Sequence, residues 1–107
     1  MRISCNNNNQ NIGVVKRGTI KRFSFNITND SDKIFSIIIQ NGCGCTDSKL
    51  ELNPIPPGET TKLIINFDAN KNSLGGPWAK VVHLSYFDLD EKENKTLTVN
   101  FTVTVEE

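Results

Sequence analysis

Leu97-Thr98-Val99-Asn100-Phe101-Thr102-Val103-Thr104-Val105 decides the fold. Apolar and polar residues alternate strictly here, and with Thr96 the pattern runs for ten residues. Successive side chains of a strand point to opposite faces, so period two describes one face on a core and one in water. Working outward, Phe23-Ser24-Phe25-Asn26-Ile27-Thr28 alternates in the same way and stops at the turn formers Asn29-Asp30-Ser31-Asp32. Leu63, Ile65 and Phe67 share a face opposite Lys62, Asn66 and Asp68, and Val82, Leu84 and Tyr86 do so within a strand from Trp78 to Phe87. Ile12 to Val15 reads as an opening edge strand and Lys49-Leu50-Glu51-Leu52 as a short one. The run Lys33 to Gln40, with Ile34, Phe35 and Ile37-Ile38-Ile39, reads as a strand buried on both faces or central in its sheet. Asn41-Gly42, Pro54 to Gly58, Leu74-Gly75-Gly76-Pro77 and the charged stretch Asp88 to Lys95 break the pattern.

Composition agrees. The 107 residues hold eleven Ile, seven Val and nine Thr but two Ala, a ratio that favours pleated sheet and nearly excludes helix. That length suits one domain. The expected architecture is all-β: a single Ig-like antiparallel β-sandwich of about seven strands over residues 11–107. Residues 1–10, with Asn6-Asn7-Asn8-Asn9, read as a polar Asn-rich N-terminal arm. Twelve basic and twelve acidic residues cancel, so the long-range field that gathers nucleic acid or anionic lipid is missing. No apolar run approaches the roughly 20 residues that span a bilayer. Met1-Arg2-Ile3-Ser4-Cys5 has no apolar h-region, so the expectation is no signal peptide and synthesis in a reducing cytoplasm, without structural disulfides.

Cys43-Gly44-Cys45 is the sharpest local feature. Two thiolates either side of a glycine can face a soft metal, and Cys5 or His83 would have to complete the set. Cys43, Cys45 and His83 are therefore weak metal candidates, because the spacing is not a zinc knuckle and no second pair exists. The competing reading is a turn whose small cysteines pack under the end of a sheet, and a Cys43–Cys45 disulfide is disfavoured as a strained ring. His83, the single histidine, lacks the oxyanion motif and orienting partner of a Cys-His hydrolase, so no catalytic residue, cofactor or small-molecule substrate is expected. Asp88, Asp90, Glu91 and Glu93 lack the central glycine of a calcium loop and read as a solvated hairpin loop. Trp78 is expected in the core, and the threonine row 96–104 as an edge open to strand addition.

The order of these pieces resembles the bacterial domain-of-unknown-function family 1573, Ig-like sandwiches akin to abnormal-spindle/hydin (ASH) and major-sperm-protein domains. The residues that carry the resemblance are Asn11-Ile12-Gly13-Val14-Val15, the strand Phe23 to Asn29, Gly42-Cys43-Gly44-Cys45-Thr46, Ile55-Pro56-Pro57-Gly58-Glu59, and Gly76 with Trp78. The signature positions are Gly42, Cys43, Gly44, Cys45, Thr46, Pro57 and Gly58. Tyr86-Phe87-Asp88 departs from the family's Thr-Asn step. The resemblance implies a fold and a non-catalytic interaction role with protein partners in a multi-subunit assembly. Small Ig-like domains made without a signal are familiar on phage particles, so the concrete expectation is a virion decoration or auxiliary protein of capsid or tail. The alternative is a bacterial envelope or cytoskeletal adaptor, and the third reading a Cys-based metal or thiol site. The partner-binding face is not legible.

Overall fold

The computed structural model describes residues 2–107, in which eight strands follow one another: β1 (Ile3–Ser4), β2 (Asn9–Lys16), β3 (Ile20–Asn29), β4 (Ile38–Asn41), β5 (Thr46–Leu50), β6 (Thr60–Asp68), β7 (Gly75–Asp88) and β8 (Glu93–Glu106). The only helical piece among the described residues is one 3₁₀ turn at Ala69–Lys71. Two four-stranded sheets, ordered β1-β3-β6-β5 and β2-β8-β7-β4, form the expected Ig-like sandwich. Alternation fixes which residues meet between the sheets. Phe25, Ile27, Leu63, Ile65 and Phe67 from the first sheet face Val82, Leu84, Val99, Phe101 and Val103 from the second, all fully buried. Aromatic rings lock the layers edge to face, with Phe101 at 4.9 Å from Phe23 and 5.9 Å from Phe67. Such contacts add about 0.5–1.5 kcal/mol each beyond the area they bury.

Within the polar arm expected at 1–10, residues 3–4 and 9–10 are instead strands of the sandwich, and Met1 lies outside the described residues. Ile3 pairs with Asn29 and is fully buried, while β2 already starts at Asn9 and pairs with Asn100. One apolar side chain suffices for this, too short a signal to stand out among asparagines. The N-terminal segment thus changes sheets within residues 5–8, and β2 runs parallel to β8, the single parallel pair among the described residues. Gly13, at φ +79°, absorbs a shift of register between Asn11 and Val14, as a bulge does.

The run 33–40 is neither central nor buried on both faces. Phe35 and Ile37 point inward, but their backbones are met by a loop: Phe35 and Ile55 exchange N–H···O bonds of 3.1 and 2.8 Å, and Asn53 brackets Ile37 with side-chain bonds of 3.0 and 2.9 Å. Only Ile38–Asn41 joins β7, as an edge strand, with Ile34 and Ile38 exposed. The short strand expected at 49–52 lies at 46–50. Of the threonine row, residues 100–104 are no edge, since β8 there lies between β2 and β7, whereas Thr96 to Val99 pair with β7 alone. Trp78 is partly exposed; its indole N–H donates to the Ser73 carbonyl and Lys80 lies over its ring, which holds it against a loop outside the core.

Candidate functional site

An open edge strand is where a β-sandwich can accept another chain, and natural proteins blunt such edges with shortness, charge or bulges. The four outermost strands are finished in different ways. β1 has two residues, β5 turns Asp47 and Lys49 outward, and β2 carries the Gly13 bulge flanked by Asn11 and Lys16. β4 is also short, at four residues, but carries no bulge and no charged side chain. Gly42 donates to Val81 in β7, so by the alternation of an antiparallel ladder Ile39 and Asn41 direct their main-chain groups to the open side. Ile37, one step earlier on that side, is capped by Asn53. A two-residue window of unpaired backbone therefore remains.

The outer face beside that window is apolar. Ile38, opposite Ser85, is 70% exposed, and Phe87, two residues along β7, is 47% exposed. Ser36, Ile38, Ser85, Tyr86, Phe87 and Asn94 line one hollow of about 260 Å³. An ion pair of 3.6 Å between Lys33 and Asp90 holds the neighbouring segments together, and both of these present a further exposed side chain, Ile34 and Leu89. Toward the opposite end the face turns polar, through Gln40, His83 and Thr98. The run Ile37-Ile38-Ile39 was visible in the sequence, but its apolar excess signalled burial; the missing information was that the outward isoleucine has no second layer above it.

The hairpin below the hollow is fastened by Asp88, which is buried in contrast to the solvated loop expected. Its Oδ1 accepts from the backbone N–H groups of Asp90 and Glu91 at 3.0 and 3.2 Å, and Arg2 approaches Oδ2 at 3.6 Å. Burial alone would raise its carboxyl pKa; those N–H bonds, with Arg2 and Lys95, outweigh it and hold the pKa below the usual carboxylate value. Arg2 also bonds Asp90 at 2.6 Å, tying the N-terminal strand to the hairpin.

The signature residues divide between the two ends of β6. At one end Asn29, fully buried, donates to the carbonyls of Lys33 and Ile55 at 2.7 and 2.8 Å, while its own carbonyl receives Gly58 N–H at 2.9 Å, which explains why the Pro57-Gly58 turn sits where it does. At the other end Cys43 and Cys45 form a disulfide, contrary to the free thiols expected. Their Cα atoms are 5.3 Å apart, within the ordinary range of bridged pairs, because the chain turns there to cross between the sheets. Cys45 is buried in the core and Asp68 N–H donates to its carbonyl at 2.8 Å, so the packing role expected for the cysteines and the bridge coexist. His83 is not brought to them. It lies on the outer face of the second sheet, sharing a 2.9 Å hydrogen bond with Thr98. Cys5 is half-buried in the β1–β2 turn, where burial raises its thiol pKa. Among the described residues no three His, Cys, Asp or Glu side chains converge.

A family model described as "Protein of unknown function (DUF1573)" matches residues 3–105. Among solved structures, the ASH/PapD-like domain 7 of human CEP192 superposes with a TM-score of 0.78 at 10% identity, covering 99% of this chain and 86% of that one. WR4, a C. elegans MSP family member, gives 0.64 at 13% identity over 98% of each chain. The periplasmic chaperone SfaE gives 0.62 at 12% identity over 98% of this chain and 57% of the chaperone. At these identities the likeness is one of fold. No curated protein sequence matches the chain.

Proposed function

The chain belongs to the DUF1573 family, and from that premise we propose that it is a non-enzymatic interaction module which holds a protein partner at the β4 edge as one part of a multi-subunit assembly. One observation carries the proposal: the β4 edge, which has neither a bulge nor a charged side chain, is also where Ile38 and Phe87 stand exposed around a shared hollow. Burying large apolar side chains beside newly paired backbone supplies affinity and register together. With little net charge, association relies on this contact and not on long-range steering. The setting we favour is the adaptor role. The neighbours' descriptions, an ASH/PapD-like domain, an MSP family member and a periplasmic chaperone, support it over the virion decoration role expected from the sequence.

Site-specific photocrosslinking tests this. A photoreactive residue at position 38 is expected to link the chain to a partner in its natural source, whereas the same residue at position 14 on β2 links none. A stable complex that crosslinks from position 14 and not from 38 overturns the reading.

A further inference from the structure

The disulfide has no evident work as a staple. A bridge restrains the unfolded chain by an amount that grows with the logarithm of the loop it closes, and Cys43-Gly44-Cys45 closes nearly the smallest loop a chain offers. The crossover is held without it: Gly42 N–H bonds the Val81 carbonyl at 3.0 Å, Asp68 N–H bonds the Cys45 carbonyl at 2.8 Å, and Thr46 Oγ1 donates to the Cys43 carbonyl at 3.3 Å.

The two glycines of the motif differ in a telling way. A side chain at Gly42 would meet the Val81 carbonyl oxygen at 2.6 Å, so close strand packing requires a glycine there. A side chain at Gly44 would meet nothing within 4 Å, and Gly44 has no left-handed backbone to accommodate. Its place between the cysteines is thus explained neither by packing nor by conformation. What the bare backbone does is leave one flank of the bridge open. A groove of about 370 Å³ opens beside Gly44 and Cys45, lined also by Ile20, Thr46, Asp68 and Lys71 among others but not by Cys43. The two sulfurs are unequal as well: Cys43 is half-buried, whereas Cys45 is 3% exposed.

We propose that Cys43–Cys45 is a reversible thiol–disulfide exchange site whose substrate is a protein dithiol. The partner's first thiolate attacks the accessible Cys43 Sγ; its new S–S bond forms as the Cys43–Cys45 bond breaks, and Cys45 departs as a thiolate that takes up a proton. The partner's second thiolate then attacks its own sulfur in the mixed disulfide and expels Cys43 as a thiolate. Two electrons pass from the partner, now a disulfide, to this chain, now a dithiol; the reverse sequence returns them. This goes beyond the protein-binding role and does not depend on it, since the groove and the β4 hollow have no lining residue in common.

The test begins with the wild-type chain, titrated with dithiothreitol in the absence of denaturant, alkylated and mapped by mass spectrometry, with circular dichroism followed in parallel. Thiols are expected to appear at positions 43 and 45 while the β-sheet spectrum is retained; mapping keeps Cys5 separate. Glutathione disulfide then serves as the trapping probe. Cys45→Ser is expected to form a mixed disulfide on Cys43 at least about tenfold faster than Cys43→Ser forms one on Cys45. Reduction that occurs only as the sheet spectrum collapses overturns the proposal without touching the β4 reading, and so does equal trapping in the two variants.

Discussion

β2 and β4 are the two edges of one sheet, and they are finished in opposite ways. β2 is eight residues long, yet its bulge at Gly13 spoils it as a template; β4 is four residues long and has unpaired backbone beside an exposed isoleucine. Both edges expose an apolar side chain, Ile38 at 70% and Val14 at 59%; what sets Ile38 apart is the hollow it shares with Phe87. The contrast teaches that the two edges are finished differently, and under the proposed function the one without a bulge is the one the partner meets.

The sharpest way to break this comparison is to charge both edges. Ile38→Asp is expected to weaken partner binding by about 2 kcal/mol or more, the scale of a central interface residue, while Val14→Asp, an exposed apolar residue on β2, leaves it unchanged. Titration calorimetry with the crosslinked partner, identified and purified, measures both; equal losses would erase the distinction. Stability probes the same two strands. Gly42→Ala drives a methyl group into the Val81 carbonyl at the end of β4 and is expected to cost about 1–3 kcal/mol in denaturant unfolding. Gly13→Ala meets no atom but must hold φ +79°, and is expected to cost roughly 1–2 kcal/mol. A Gly42→Ala chain as stable as the wild type would mean that β4 slides along β7 without penalty.

Acid gives the mildest separation. Asp88 has a native pKa below its unfolded value, so its contribution is present above the unfolded pKa and is lost as pH falls through the native one. Hydrogen exchange is therefore expected to rise in acid over the 88–93 hairpin and over residues 3–4, which Arg2 ties to it, while residues 9–16 of β2 keep their protection. Asp88→Asn is expected to remove that pH dependence, and uniform loss of protection would show that Asp88 does not govern this end locally.

The sandwich was legible wherever alternation had a buried and a wet side. β3, β6 and β8 follow from Phe25, Leu63 or Val99 and their polar neighbours, and the signature around Cys43 and Gly58 placed the chain in its family. What stayed illegible depends on partners distant in sequence. Nothing local to Ile37 announces that Asn53 will take its backbone, nothing in Asp88 distinguishes it from the solvated carboxylates beside it, and Ile3 is a lone apolar residue until Asn29 is found opposite. The candidate site fell between these cases: an outward isoleucine reads as core in one dimension and becomes a surface only when the layer above it is seen to be missing.

The parallel pairing of β2 with β8 also sets the order in which the protein can be made. Asn9 finds its register partner at Asn100, so a ribosome must complete almost the whole chain before the second sheet can acquire its outer strand. Until then β2 waits unpaired, and the loop closed by the pairing is among the longest the chain permits. Refolding from denaturant is accordingly expected on the slow, millisecond-to-second scale of sandwiches rich in distant contacts, with protection of residues 9–16 among the last to develop in pulsed hydrogen exchange. A nascent chain halted before β8 leaves the facing edges of β2 and β7 unpaired in addition to those of the finished molecule, which makes the closing moments of synthesis its most aggregation-prone.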